Sequence, residues 1–204
     1  MFVGEDRENP DYLVRQLITC IGNKRSLLAS IGQALELACE RLGKSRLDLA
    51  DLFAGSGVVS RYFKAYATRL VANDLEEYSR ILGKCYLANV REINLPQLTR
   101  TWERLREEVA NDSTGGFITE MYAPADDSEI KLGERVFYTR RNALFLDAAC
   151  RRIQMEPEWM QPFLLGPLLS EASIHTNTSG VFKGFYKNRQ GIGCLIYTSP
   201  SPRD

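Results

Sequence analysis

The sequence predicts an α/β fold in which helices pack on a parallel sheet and a mainly helical insertion follows. Two short runs of strand-forming residues, 47–53 and 69–74, are separated by a glycine-containing loop and a helical pattern. Strand, helix and strand in this order form a right-handed βαβ unit with parallel strands. From residue 96 onward, helical patterns follow one another without strands between them, which indicates a separate helical region.

Helical patterns also surround the two predicted strands. Apolar residues repeat on one face of residues 24–43, and Gly43 is typical of a helix end. We expect further helices at 56–67 and 76–94. The predicted buried stripe of the first helix consists of Leu27, Leu28, Ile31, Leu35, Ala38 and Leu42.

Three helices are expected in the later region, at 96–109, 138–154 and 157–173. The pair Gly166–Pro167 should interrupt the last of them. Residues 111–130 are acidic and rich in turn formers, which predicts a loop. Trp102 and Trp159 have leucine neighbours in helical segments, so we expect both in the core.

The composition of the chain limits both the cellular compartment that we expect and the types of functional site that the chain can contain. No apolar run approaches the ~18 residues that a membrane helix needs. Residues 1–12 are polar and acidic, unlike a signal peptide, so we expect a cytoplasmic protein. Five dispersed cysteines and a single histidine, without any Cys-x-x-Cys, exclude a zinc site of the usual spacing and predict reduced, buried thiols.

The net charge is zero, but the charges are unevenly distributed along the chain. Residues 103–130 hold eight acidic residues against two arginines, whereas residues 131–152 hold six basic residues against two acids. Lys183, Lys187 and Arg189 then follow without an acid between them. Two interpretations are open, namely solvated helix faces or one basic face that binds a polyanion.

The loop after the first strand carries Gly55 and Gly57. Glycine permits positive φ angles and lets a ligand approach the backbone closely. In parallel α/β sheets the ligand crevice lies at the carboxyl ends of the strands. Asp74 ends the second strand 17 residues after Gly57, where an acid typically meets ribose hydroxyls. The pattern therefore predicts a ligand that contains a nucleoside.

Two features distinguish between nucleoside ligands. A dinucleotide loop has a third glycine where this chain has Ser60, and Asp51 precedes the glycines. An acid beside such a loop suits a ligand with a cationic amino-acid end and no phosphate, which is the chemistry of S-adenosylmethionine (AdoMet). Gly43-Lys44-Ser45 resembles the end of a P-loop, but the first glycine of that motif would fall within a helix. A tight turn without a ligand remains the alternative.

Three segments resemble motifs of one enzyme family. "CIGNKRSLL" at 20–28 is similar to motif X of the Dam-like class of adenine-N6 DNA methyltransferases, "DLFAGSG" at 51–57 to its motif I, and "NDLEEYS" at 73–79 to its motif II. The resemblance implies a Rossmann-like AdoMet-dependent methyltransferase fold, incomplete in this chain, with a helical target-recognition insertion. The implied cofactor-binding residues are Gly22, Asn23, Lys24, Asp51, Phe53, Ala54, Gly55, Ser56, Gly57, Asp74 and Leu75.

The resemblance continues into the helical region. "ERVFYTRRNALF" at 134–145 and "HTNTSGVFKGFYKNRQGIG" at 175–193 are similar to the family's target-recognition region and the loop after it. Double-stranded DNA is the implied partner, and a cognate restriction endonuclease is a further one. Phe182 and Phe185 alternate with basic residues, as side chains that stack on bases would. The implied DNA-binding residues are Arg135, Arg140, Arg141, Lys183, Tyr186, Lys187 and Arg189.

Two departures from the family pattern bear on activity. Cys20 stands where the family usually has an aromatic residue, and the catalytic Asp-Pro-Pro-Tyr motif does not occur in the 204 residues. In the family this motif follows the recognition region. Here "CLIYTSPSPRD" at 194–204 follows instead and resembles a translated sequencing adapter, so we expect a non-native tail and a chain truncated near Gly193.

The expected division of the chain is 1–95 for the AdoMet-binding part, 96–193 for DNA recognition and 194–204 for the tail. The expected function is site-specific transfer of a methyl group from AdoMet to N6 of adenine in DNA, with this fragment alone inactive. A non-catalytic DNA-binding fragment is the first alternative. A nicotinamide-dependent oxidoreductase is the second, and Ser60 disfavours it.

Overall fold

The computed structural model of the chain describes residues 12–13, 17–18, 24–178 and 184–195. The chain divides into two compact units, residues 1–89 and 90–204. The first unit contains the two predicted strands, and the second contains the predicted helical region. A functional division near residue 95 stays a prediction.

The first unit contains a 3₁₀ turn, Lys24–Leu27, that continues into helix α1 (Leu28–Leu42). Gly43 ends this helix in the left-handed conformation with a φ of 61°. The N–H of Lys44 then donates to the carbonyl of Cys39 at 3.0 Å, which satisfies one of the free carbonyls of the last turn. The predicted helix and its glycine stop are confirmed.

Strands β1 (Leu47–Asp51) and β2 (Ala67–Ala72) pair in parallel, and helix α2 (Val58–Lys64) connects them. Helix α3 (Glu77–Tyr86) follows β2. This order confirms the α/β class and the parallel strand pair, and in the described residues the sheet has these two strands. Both strands end two residues earlier than predicted, because the chain leaves the ladder at Leu52 and turns into the glycine loop.

The predicted helix at 76–94 ends early, at Tyr86. A 3₁₀ turn, Val90–Glu92, comes next along the chain. Asn94 then accepts a hydrogen bond from the N–H of Gln97 at 3.2 Å and is the N-cap of the following helix. An N-cap residue has non-helical dihedral angles, so one continuous helix could not include it.

The core of the first unit joins α1 to α2. Leu28, Val58 and Val59 form a buried cluster. Leu27 and Leu42, which the predicted stripe places in the core, are instead 52% and 61% exposed. They lie at the two ends of the helical segment, beyond the turns that pack on this cluster.

The second unit is helical, as predicted. Its helices are α4 (Leu95–Ala110), α5 (Phe117–Tyr122), α6 (Arg140–Gln154) and α7 (Gln161–Ile174). The first, third and fourth of these confirm the three predicted helices. The predicted interruption at Gly166–Pro167 is wrong, because α7 continues through it. Pro167 removes one backbone hydrogen bond, but its ring is exposed and displaces nothing in the core.

Helix α5 lies inside the region 111–130 that the sequence predicts to be a loop, so this prediction is wrong for α5. The cause is a capping carboxylate on another helix. Asp147 of α6 is 6% exposed and accepts hydrogen bonds from the N–H groups of Ile118 and Thr119 at 3.0 and 2.8 Å. These donors are the free N–H groups of the first turn of α5. Asp147 is distant in sequence, so local composition could not reveal it.

The two tryptophans of the second unit are not core residues. Trp102 and Trp159 are 52% and 42% exposed, so the prediction that both are buried is wrong. The buried face of α4 carries Leu105 and Val109, while the guanidinium of Arg106 lies 5.8 Å from the centre of the Trp102 ring. Tryptophan is seldom fully buried because of its size, and a cation–π contact stabilises an exposed ring.

Four of the five cysteines lie in the described residues, and all four are free thiols with half-buried side chains: Cys39, Cys85, Cys150 and Cys194. The predicted thiols are thus unpaired at these positions, but they are half-buried and not buried as predicted. Burial raises the pKa of Cys85 to about 11 and also raises that of Cys150, so both stay protonated at neutral pH. Cys20 lies outside the described residues. No helix in the described ranges is long and apolar enough to cross a bilayer.

Replacing Pro167 with alanine is expected to stabilise the chain. Alanine supplies an N–H for the carbonyl of Phe163, four residues earlier, and has a higher helix propensity. Together these contribute on the order of 1–3 kcal/mol at an exposed helix position. Thermal unfolding followed by circular dichroism measures the shift. Pro96→Ala is the matched control, because Pro96 lies in the first turn of α4, where no N–H is needed. A melting temperature for Pro167→Ala no higher than that of the parent would contradict this account of α7.

Candidate functional site

Hydrogen bonds from Asn73 join the carboxyl ends of the two strands. Its peptide N–H donates to the carbonyl of Asp51 at 2.8 Å, and its own carbonyl accepts from the N–H of Ala54 at 2.9 Å. Its side-chain amide donates to the carbonyl of Leu52 at 3.0 Å. Three hydrogen bonds to one residue therefore fix the path of the glycine loop as it leaves β1.

Gly55 and Gly57 both have positive φ angles, 53° and 75°. Apart from its chain neighbours, a Cβ atom on either residue would meet no heavy atom of the described residues within 4 Å. The positive φ angles therefore favour glycine at both positions, and the described residues leave the space beside them free for a ligand. The N–H of Gly57 donates to the carbonyl of Ala54 at 2.8 Å, which keeps the loop tight.

Asp74 connects the glycine loop to the end of β2. Its carboxylate accepts hydrogen bonds from the N–H of Gly55 at 2.8 Å and from the N–H of Glu76 at 3.0 Å. These two bonds, that of Glu76 first, lower the pKa of Asp74, because they favour the charged form. The side chain is half-buried and ionised at neutral pH. Each carboxylate oxygen keeps acceptor capacity for a further donor.

Asp51 is the second acid at this edge, and it is nearly buried, with 8% exposure. Ser60 in the first turns of α2 is fully buried, and its hydroxyl donates to Oδ2 of Asp51 at 2.7 Å. The sequence identifies Ser60 only as a missing third glycine. In the structure it is the side-chain partner of the acid that precedes the loop.

Lys24 is the predicted motif X residue that lies in the described part of the chain. Its Nζ donates to the carbonyl of Phe53 at 2.9 Å, so it is in contact with the glycine loop. Its charge also contributes to lowering the pKa of Asp74, after the hydrogen bonds from the backbone. The predicted residues Gly22 and Asn23 lie outside the described residues.

Apolar side chains are exposed at both strand ends. Phe53 is 78% exposed and Leu75 is 96% exposed. Such side chains can cover a flat, apolar ring such as a purine. Ala54 and Ser56, by contrast, are buried, at 9% and 5% exposure, so neither side chain offers much surface to a ligand.

The second unit carries the predicted DNA-binding residues. Arg135, Arg140 and Arg141 are exposed in the segment that leads into α6 and in the first turn of that helix. The peptide N–H of Arg140 donates to the carboxylate of Asp127 at 2.8 Å. The guanidinium of Arg135 lies 5.8 Å from the centre of the Tyr122 ring. These contacts involve the backbone of Arg140 and the side chain of Arg135, and all three arginines are exposed.

Residues 184–195 form a turn that carries the later basic residues. Lys187 pairs with Gly193 in an antiparallel bridge, and the side chain of Asn188 accepts from the N–H groups of Gln190 and Ile192. Tyr186, Lys187 and Arg189 are all exposed on this turn. Lys183 and Phe182 lie outside the described residues.

The structure places this turn beside the segment that leads into α6. The ring of Phe185 packs edge-on against Phe137 with centroids 5.2 Å apart, so Phe185 contributes to the core and not to an exposed stacking surface. The buried amide of Asn177 donates to the carbonyls of Val136 and Cys194 at 2.8 and 2.9 Å. The two basic segments, 135–141 and 186–189, are therefore neighbours. Cys194 makes these hydrogen bonds through its backbone atoms, which every residue has. They therefore do not show whether residues 194–204 are native, and the non-native tail stays a prediction.

Ion pairs account for part of the uneven charge. Arg151 contacts Asp112 at 3.1 Å, and Arg152 contacts Glu108 at 3.3 Å. Arg104 contacts Glu108 at 2.9 Å. The acidic stretch and the basic stretch thus pair with each other across α4 and α6. Arg151 and Arg152 are thus paired with acids, and the exposed arginines at the start of α6 are a separate group.

A cavity of about 570 Å³ lies next to this group. Its charged lining consists of Arg135, Arg140, Glu120 and Glu134. Two positive and two negative side chains leave the cavity without a net charge, so it does not favour a phosphate. Within the described residues no group of three potential ligands could hold a metal ion.

A family model of D12 class N6 adenine-specific DNA methyltransferases matches residues 21–190. This chain belongs to that family. The predicted family resemblance is confirmed. No solved structure gives a significant match.

The curated relatives are named as methyltransferases or methylases. The chain is 33% identical over 147 residues to the type II methyltransferase M.NlaIII of Neisseria lactamica, a match that covers 68% of this chain and 40% of the relative. It is 29% identical to the modification methylase LlaI of Lactococcus lactis subsp. lactis, covering 82% of this chain and 27% of the relative. A third relative, M.CviAII of Paramecium bursaria Chlorella virus 1, is 28% identical, with coverages of 82% and 48%. The chain therefore spans less than half the length of each of these relatives.

The structure of this D12 class chain adds residues that sequence reasoning missed. Asn73 and Asn177 each make several backbone hydrogen bonds, and Ser60 bonds the acid before the loop. The sequence did offer an indication for Asn73, because this residue immediately precedes the strand-end acid Asp74. Asn177 gave no such signal, because its partners lie 17 and 41 residues away.

Proposed function

We propose that this chain is the cofactor-binding and target-recognition part of a DNA methyltransferase that transfers the methyl group of AdoMet to N6 of adenine. The observation that carries the proposal is the hydrogen bond between Asp74 and Gly55, which places an ionised carboxylate beside an open glycine loop at the ends of parallel strands. Family membership supports the reaction.

The residues at the strand ends fit the chemistry of AdoMet. That molecule supplies an activated methyl group and carries a ribose, a purine, a sulfonium and a zwitterionic amino-acid end. Asp74 would accept hydrogen bonds from the ribose hydroxyls, and Asp51 would attract the ammonium. Phe53 and Leu75 would cover the purine. Two carboxylates at one site disfavour a phosphate-bearing dinucleotide, which counts against the oxidoreductase alternative.

The glycine loop would let the amino-acid end lie against the backbone. Gly55 and Gly57 place no side chain in the space in front of the loop. Lys24 would hold the loop from the motif X side through the carbonyl of Phe53. Gly22, Asn23, Ala54 and Ser56 complete the proposed set, the last two through their backbone.

Methyl transfer requires the target nitrogen and the methyl carbon in line. In duplex DNA the adenine must also leave the base stack, which costs a few kcal/mol. This chain contains no Asp-Pro-Pro-Tyr sequence, so we assign none of its residues to holding the target amino group. We propose that the described residues bind the cofactor and position DNA, and that the fragment alone does not transfer the methyl group.

The proposed DNA contacts are the exposed basic residues of the second unit. Arg135, Arg140 and Arg141 adjoin the turn that bears Tyr186, Lys187 and Arg189, and Lys183 belongs to the same proposal. Such side chains position DNA through its phosphates and do not by themselves specify a sequence. A cognate restriction endonuclease is proposed because two relatives are named modification methylases.

Replacing Asp74 with alanine is expected to weaken AdoMet binding by the chain at least tenfold. The change removes both the ribose acceptor and the hydrogen bond that holds Gly55, and a charge-assisted hydrogen bond contributes about 1.5–3 kcal/mol. Isothermal titration calorimetry measures the affinity. Glu77→Ala is the control, since Glu77 is exposed and pairs only with Arg80 in the described structure. Equal effects of the two substitutions, or a folded parent that binds no AdoMet, would contradict the proposed cofactor site.

Neutralising Lys187 and Arg189 together, as Lys187→Gln with Arg189→Gln, is expected to weaken duplex binding and reduce its salt dependence. Each lost phosphate contact lowers the slope of log K against log salt by about 0.9. Fluorescence anisotropy with one labelled duplex at several salt concentrations gives the slope. Lys44→Gln, at an exposed lysine of the first unit, should leave it unchanged. An unchanged slope in the double variant would exclude the turn from the DNA interface.

A further inference from the structure

Ser60 occupies a position with an unusual combination of burial and polarity. Its side chain has no exposed surface, and its hydroxyl donates to Oδ2 of Asp51 at 2.7 Å. In a dinucleotide-binding loop this position is a glycine that allows the helix to pack closely on the strand. Here the hydroxymethyl group fills that space and makes a polar contact with the acid at the end of β1.

The environment of Asp51 restricts both its backbone and its side chain. Its carbonyl accepts the N–H of Asn73 at 2.8 Å, which holds the backbone at the strand end. Rotation of the carboxylate is then opposed by the bond from Ser60. The backbone contact comes from Asn73, directly after β2, and the side-chain contact comes from α2, so Asp51 is held from two sides.

Among the described residues, the carboxylate of Asp51 has fewer partners than a buried charge normally has. Ser60 provides the one hydrogen bond to it from the described residues, and that bond uses Oδ2. A carboxylate with 8% exposure is destabilised unless further donors or a cation approach it. Oδ1 accepts no hydrogen bond from the described residues, so it keeps its acceptor capacity for a cationic group.

We infer that Ser60 is a positioning residue for the amino-acid end of the cofactor. Its hydroxyl holds Asp51 in the orientation in which Oδ1 receives the ammonium of AdoMet. This inference rests on the proposed function of the site. It also explains how a serine in place of the third glycine selects against dinucleotides, because it fixes a carboxylate where a pyrophosphate would otherwise lie.

The test compares two ligands that differ in the amino-acid end. S-adenosylhomocysteine carries the ammonium, whereas 5′-methylthioadenosine keeps the nucleoside and lacks it. Calorimetry on the full chain should show that Ser60→Ala weakens S-adenosylhomocysteine about tenfold, the effect of one lost hydrogen bond to a charged group. Binding of 5′-methylthioadenosine should change less than about twofold.

Ser170→Ala is the matched control. Ser170 is also a buried serine, and its hydroxyl donates to the carbonyl of Gly166 in α7 at 3.2 Å. This substitution should change neither affinity. Ser60→Cys keeps most of the side-chain volume with a weaker donor, and it should show the same ligand-selective loss if Ser60→Ala does not fold.

Equal weakening of both ligands would overturn the inference, because it would mean that Ser60 only supports the fold of the site. No weakening of either ligand would overturn it as well. If the parent binds neither ligand, the proposed cofactor site itself falls and this inference falls with it. That outcome differs from the first two, in which the parent binds both ligands.

Discussion

The peptide N–H of Gly55 and the carboxylate of Asp74 meet at 2.8 Å across the ends of two parallel strands. Gly55 has a positive φ at this point of the loop, and the hydrogen bonds of Asn73 hold the strand ends in register. The bonds from Glu76 and from Gly55 together lower the pKa of Asp74, and the bond from Gly55 places the carboxylate at the edge of the glycine loop. The other proposed cofactor contacts are arranged around this pair.

The arginines of the second unit form two groups with different surroundings. Arg151 and Arg152 are paired with acids of α4 and the loop after it, so they support helix packing. The exposed arginines before and at the start of α6 adjoin a basic turn that Phe185 and Asn177 hold in place. A net charge of zero therefore conceals one compensated group and one exposed group. The exposed group is the one that suits a polyanion.

The sequence correctly predicted those elements that depend on interactions between neighbouring residues. The glycine stop at Gly43, the parallel strand pair and the strand-end acid Asp74 each follow from a few neighbouring residues. Contacts between distant residues decided the rest. Helix α5 depends on Asp147, the role of Ser60 depends on Asp51, and Trp102 is exposed although its helix was predicted correctly. The family motifs identified the family but carried no information about these side-chain partners.

The most direct measurement is a titration of the isotopically labelled chain with AdoMet, followed through its backbone amide NMR signals. The account predicts that the largest chemical-shift changes occur at the amides of Gly55, Gly57 and Leu75, since these surround the carboxylate of Asp74. Saturable changes at those amides would support an AdoMet site at the strand ends. If the signals of residues 53–57 and 74–76 did not move while the chain remained folded, or if the changes were confined to other residues, the central claim would be wrong.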